Sequence, residues 1–164
     1  MQPFRIRQDA RNWFKELRDK EKTLKTDFDS FYFCFIAGIA MKRKQPVPSD
    51  ETAELVAYFP DRYAGRGRLL VALFLSQELD QLGVTMAEKK AVHSAVASLV
   101  NPEAPNYLSD DGVREFNRYA HGGYDVLLDW FDDKPRSLDT FVRAFKQRID
   151  AALASTSRPG GSPL

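Results

Sequence analysis

The sequence predicts an all-α protein, a compact single-domain bundle of about seven or eight helices. Three observations carry this. Apolar residues recur at helical spacing in several segments. Ser, Thr and Asp caps and Gly or Pro stops punctuate those segments. No segment alternates apolar and polar residues as a half-buried strand does. A length of 164 residues suits one domain. The 12 Phe, 6 Tyr and 2 Trp supply large side chains for its core.

The elements follow in order. In residues 8–26, Asp9 is placed to cap a helix, and Trp13, Phe14, Leu17 and Leu24 stand near helical spacing among charged neighbours. Residues 29–43 form a second, apolar helix that runs into Lys42-Arg43-Lys44, and Pro46 and Pro48 stop it. A third is expected from Ser49 or Asp50 to Phe59, ahead of Pro60, with residues 61–68 as a loop. Residues 69–82 are apolar enough for a central helix, and Gly83 is its stop. Thr85-Met86-Ala87-Glu88 has the capping-box spacing and opens a helix to about Val100. Ser109 or Asp110 caps a short helix through Tyr119. Gly122-Gly123 is expected to turn the chain into another helix over residues 124–131. After Lys134-Pro135, Ser137 precedes a last amphipathic helix with Leu138, Phe141, Val142, Phe145, Ile149 and Leu153 on one face. The helical domain is expected to span residues 1–154. Residues 155–164, rich in Ser, Gly and Pro, are expected to form a flexible tail.

Composition excludes several functional classes. One Cys leaves no internal disulfide and no Cys-rich zinc finger. Two His leave little for a His-based metal site, and no cofactor or metal is expected. The N-terminus lacks a signal-peptide core. The most apolar run, residues 31–41, is far short of the roughly 20 residues a helix needs to cross a membrane. Cys34 within it reads as a small buried hydrophobe. A cytoplasmic protein without membrane contact is expected.

The net charge of +1 hides an uneven distribution. Residues 1–44 hold 11 Lys and Arg against 6 Asp and Glu, and the remainder is moderately acidic. Two basic clusters stand out: Lys42, Arg43 and Lys44 at a helix end, and Arg62, Arg66 and Arg68 in a loop with Gly65 and Gly67. A helix C-terminus favours cations through its dipole alone. The functional reading of both clusters is contact with nucleic-acid phosphates, where Lys and Arg displace condensed counterions. The loop lacks the P-loop spacing. His93 falls in mid-helix. His121 adjoins the glycine pair, with Asp125 nearby, yet no nucleophile accompanies it in a known motif. Asp110-Asp111 reads as a helix start. Asp132-Asp133 stands at a helix end, where the dipole disfavours it, and is a candidate contact for a basic partner.

Two stretches resemble the small DNA sulfur-modification family DndE. One is residues 34–48, CFIAGIAMKRKQPVP, an apolar helix with a Cys near its start leading into a polar segment and a Val-Pro. The other is residues 115–131, EFNRYAHGGYDVLLDWF, with Glu115, Asn117, Arg118 and Tyr119 as its most specific part. The chain differs from that family in its extra N-terminal helix and in the long segment between the two blocks. The resemblance implies an α-helical, non-enzymatic protein that binds intact or nicked DNA in a bacterial phosphorothioate-modification or defence system. It puts Lys42, Arg43 and Lys44 on the basic surface. Asn117 and Arg118 could equally lock the glycine turn through bonds to backbone.

The leading expectation is therefore a DNA-binding accessory subunit that contacts the backbone, partners other subunits and can form a homo-oligomer. The alternative is a helical protein–protein adaptor without nucleic acid, since the basic first third complements the acidic remainder. A small enzyme acting through His121 is the weakest reading, because no nucleophile, base and orienting group can be drawn together.

Overall fold

The computed structural model describes residues 1–156. The all-α expectation holds: eight helices dominate the described residues, joined by one short two-stranded ribbon. In chain order they are β1 (Arg5–Arg7), α1 (Gln8–Trp13), α2 (Lys15–Lys20), α3 (Asp27–Ala40), β2 (Thr52–Glu54), α4 (Asp61–Ala64), α5 (Gly67–Gln81), α6 (Lys89–Leu99), α7 (Asp110–Trp130) and α8 (Leu138–Thr156). Among the described residues, no helix is long and apolar enough to cross a membrane.

The segmentation departs from expectation in four places. The first predicted helix is two short ones, hinged at Phe14 and preceded by extended Arg7 rather than capped by Asp9. The hinge lets Trp13, Phe14 and Leu17 all enter the core. The helix expected from residue 49 to 59 does not form. One 3-10 turn at Ser49–Glu51 leads into β2, which pairs antiparallel with β1 in the register Arg5↔Glu54, Ile6↔Ala53 and Arg7↔Thr52. The pairing buries Phe4 and Ile6 almost completely, and that tertiary gain overrides the local preference. The predicted loop at 61–68 is a single helical turn, α4, running into α5, which begins at Gly67. The two helices expected either side of Gly122-Gly123 are one continuous helix, α7.

The glycine pair is a packing device rather than a turn. A Cβ built on Gly123 would overlap the carbonyl of Cys34, and one on Gly122 the carbonyl of Arg43. On the facing helix, a Cβ on Gly38 would overlap the carbonyl of Tyr119. Helices α3 and α7 therefore touch backbone to backbone at the centre of the molecule. Two glycines inside a helix cost about 1 kcal/mol each in propensity; here close approach offsets that.

Aromatic rings fill the space beside this contact. Phe35 stacks on Phe116 with centroids 3.9 Å apart, and Phe4, Phe31, Phe59 and Phe74 pack around Phe116 at 5.3–6.4 Å. A second cluster joins Trp13, Phe14 and Phe33 to Phe141 of α8.

Other boundaries match their expected chemistry. Gly83 stops α5 with φ +67°, and the Ser109 side chain caps α7 by accepting from the Gly112 N–H at 3.0 Å. The capping box expected at Thr85 does not open α6: the Thr85 N–H donates to Glu88 Oε2 at 2.8 Å, but the Glu88 N–H donates to the Thr85 carbonyl rather than its side chain, and the helix begins only at Lys89, after Glu88. On α8, Phe141 and Phe145 are buried, whereas Val142 and Leu153 face outward. That helix runs two residues past the expected domain boundary, through Thr156; the rest of the predicted tail, 157–164, lies outside the described residues.

Candidate functional site

The lysines and arginine after α3 do not form one free basic surface. Helix α3 ends in a Schellman-type cap: the Arg43 N–H donates to the Gly38 carbonyl at 2.9 Å, the Lys42 N–H donates to the Ile39 carbonyl at 3.2 Å, and Lys42 sits at φ 54°. From this turn the three side chains diverge to different acids. Lys42 meets Asp80 at 3.0 Å and Arg43 meets Asp129 at 2.8 Å, both exposed. Lys44 is mostly buried between Glu78 at 2.8 Å and Glu115 at 2.5 Å, with its ammonium 5.2 Å from the Tyr119 ring. The Tyr119 hydroxyl donates to the same Glu78 at 2.6 Å, and burial together with that carboxylate raises its pKa. Lys44, Glu78, Glu115 and Tyr119 thus form a network tying α5 to α7.

The second cluster is also dispersed. Arg62 donates to the Thr23 carbonyl at 2.5 Å and lies 3.5 Å from buried Asp29, which also accepts from the Tyr63 hydroxyl. Arg68 lies over the Tyr107 ring at 5.4 Å, and Arg66 is exposed at the start of α5. Gly67 is small because Phe59 packs against it, with a Cβ there 2.6 Å from the ring.

The structure instead gathers polar side chains on one face of α7. Arg114, Asn117, Arg118 and His121 stand at i, i+3, i+4 and i+7, so they share a face. Strand β1 lies against that face because Asn117 holds it: its side-chain oxygen accepts the Arg5 N–H at 3.1 Å, and its amide donates to the Pro3 carbonyl at 3.2 Å. Asn117 therefore locks a strand, not the turn that sequence reasoning supplied. Arg5 is brought alongside, its guanidinium donating to Thr52 Oγ1 at 2.8 Å and pairing with Glu54 at 3.3 Å. The loop after Lys44 closes the remaining side with Pro46 and Val47, anchored where the Gln45 N–H donates to the Arg118 carbonyl at 3.0 Å.

These elements enclose a polar cavity of about 220 Å³, with Arg5, Arg114, Arg118, Asn117 and His121 among its walls and no carboxylate lining it. Arg114 and Arg118 keep carboxylate neighbours outside it, Asp111 at 2.9 Å and Glu115 at 2.7 Å, in i,i+3 pairs. The Arg114–Asp111 pair is exposed and contributes little, whereas the Arg118–Glu115 pair is partly buried, Glu115 also meeting Lys44.

His121 is 5% exposed, and its Nδ1 is buried without a hydrogen-bond partner. Burial and the positive charges of Arg7, Arg5 and Arg118 push its pKa down to about 4, so the ring is neutral near pH 7. Arg7, outside the cavity lining, bonds Asp125 at 2.9 Å and the His121 carbonyl at 3.3 Å. Three guanidinium groups thus border a cavity lined by no carboxylate, with Arg5 also donating to the Ser49 carbonyl at 3.4 Å and the Asn117 amide committed to β1.

The α7 spacing was a usable signal for this group; Arg5 had none, because its position depends on pairing between distant segments. The remaining candidates lie elsewhere. His93 is exposed on α6. Asp110 accepts the Gln2 N–H at 3.1 Å, at the start of α7. Asp132 and Asp133 border an apolar cavity of about 470 Å³ between Phe131 and Phe141. Cys34 is buried, which pushes its thiol pKa up, as befits a core residue. Among the described residues, no group of three or more His, Cys, Asp or Glu side chains is arranged to hold a metal ion. No family model, curated protein or solved structure matches this chain.

Proposed function

We propose that this protein is a non-enzymatic, nucleic-acid-binding accessory subunit that contacts backbone phosphate through arginines, in keeping with the DNA-modification or defence role that its DndE-like motifs imply. One observation carries the reading: Arg5, Arg114 and Arg118 converge from a strand and a helix on a polar cavity lined by no carboxylate. Arg118 and Asn117 of the shared motif belong to that cavity. Arginine suits the role because its planar fork matches two phosphate oxygens at once. Lys42 and Arg43, in exposed and exchangeable pairs, can add long-range attraction. Lys44, committed to two carboxylates, contributes to the fold instead.

The test is duplex binding by fluorescence anisotropy at about 50 mM and 200 mM salt, where phosphate-dominated affinity falls steeply. Replacing Arg114 and Arg118 together by Ala should weaken binding by about tenfold or more, as loss of charge-assisted bonds predicts. The triple change Lys42→Ala/Arg43→Ala/Lys44→Ala should also lose stability, through Lys44.

A second reading, a protein–protein adaptor, rests on α5. Leu69 and Leu73 are exposed on that helix, and apolar grooves of about 370 and 610 Å³ meet along it at Ala72 and Leu75. Absence of duplex binding at low salt would leave that reading standing and remove the first.

A further inference from the structure

We infer that the cavity between β1 and α7 receives a terminal phosphate monoester, at a strand end or on a free mononucleotide, rather than a phosphodiester within a strand. The inference rests on the phosphate-binding reading of this site and sharpens it.

Size is the first argument. The cavity holds about 220 Å³ and is more enclosed than the apolar grooves along α5. Whole small-molecule ligands occupy about 300–1,000 Å³. The space is thus smaller than cavities that take whole small-molecule ligands, and suits a phosphate group better than a phosphate with a nucleoside on each side. An internal phosphodiester carries a nucleoside on each side, so it meets a protein along an open groove. A monoester has one substituent and three free oxygens, and can enter a closed site end-on.

The donor set is the second argument. Arg5 approaches from β1, and Arg114 and Arg118 from α7, so the forks come from two elements rather than from one flat face. A monoester carries nearly two negative charges at neutral pH, against one for a diester, and three free oxygens to accept from them. His121 is 5% exposed in the wall, and its buried Nδ1 has no hydrogen-bond partner among the described residues.

The experiment compares a short single-stranded oligonucleotide carrying a 5′-phosphate with the same strand ending in a 5′-hydroxyl, using AMP as competitor. The expected result is binding at least about tenfold tighter for the phosphorylated strand, a loss of charge-assisted bonds accounting for the difference. That preference should disappear in Arg114→Ala/Arg118→Ala and shrink in Arg118→Lys, which keeps charge but not the fork; circular dichroism establishes that both variants fold. Competition by AMP assigns the site to free mononucleotides as well, and lack of competition restricts it to strand ends. Equal binding of the two strands, weakened alike by the double change, would overturn the monoester inference and keep the backbone reading. A preference that survives the double change would also overturn it, by moving the site elsewhere. No binding of either strand, and none of duplex, would overturn both.

Discussion

Gly123 of α7 rests directly against the carbonyl of Cys34 of α3, so the two central helices meet through main chain at this point. The obstruction to a side chain there is backbone, which cannot swing aside. Gly123→Ala should destabilise the protein by about 3 kcal/mol or more, the upper end of the overpacking range. Gly65, with open space around it and helical φ of −69°, is the control. Gly65→Ala should raise stability by about 0.4–1 kcal/mol, through the unfolded chain. Urea denaturation of both variants checks the pair.

Lys42 takes the left-handed position that ends α3. Glycine occupies such positions without the steric penalty of a Cβ. Lys42→Gly should therefore stabilise by about 0.5–1 kcal/mol, although it removes the exposed pair with Asp80, which contributes little. A rise in Tm would establish it. A fall would mean that the Asp80 contact outweighs the backbone relief.

Asn117 joins the first strand to the longest helix by two hydrogen bonds to main chain. Asn117→Ala leaves the Arg5 N–H and the Pro3 carbonyl unpaired and should cost about 1–3 kcal/mol. Phosphate-dependent binding should weaken as well, because Arg5 loses its anchor. Asn117→Asp keeps the acceptor for the Arg5 N–H but adds a negative charge beside three arginines, so it should reduce binding more than stability. Parallel denaturation and binding measurements separate the two effects.

The neutral state of His121 makes stability pH-dependent. Its pKa is about 4 in the folded protein against 6.5 ordinarily, because burial and the neighbouring arginines disfavour the cation. Between those values the unfolded chain binds the extra proton, so stability rises with pH across the window and is lost as pH falls through it. The full gap corresponds to about 3 kcal/mol. Arg7, Arg5 and Arg118 act against protonation and Asp9 in favour of it. Denaturation at several pH values from about 7.5 to 4.5 should show the slope in wild type and a flatter one in His121→Gln. Equal slopes would mean that His121 is not the responsible group.

Helix content was legible where packing is local. The cap at Ser109 and the stop at Gly83 depend on neighbours within four residues, and each appears in place. Errors arose where distant segments decide. Residues 52–54 carry no pattern of their own and become a strand because residues 5–7 lie beside them. Gly122-Gly123 reads as flexibility in one dimension and is proximity in three. The same limit applied to charge. The run Lys42-Arg43-Lys44 looks like a unit along the chain, yet a tight turn sends its members to Asp80, Asp129 and the Glu78–Glu115 pair. Arg114, Asn117, Arg118 and His121 had a readable helical spacing; Arg5 could be added only by the fold.

The Asn117 clamp spans 112 residues of chain between partners. A loop of that length closes late, since contacts far apart in sequence form slowly. A ribosome-bound fragment that stops before α7 lacks the wall that carries Arg114, Asn117, Arg118 and His121. On the proposed phosphate-binding reading, competence to bind reports completed folding, because a nascent or partly unfolded chain carries the same arginines without the cavity. Binding and folding should consequently be lost together on titration with denaturant, at one midpoint, and that midpoint should move upward when the ligand is present in excess.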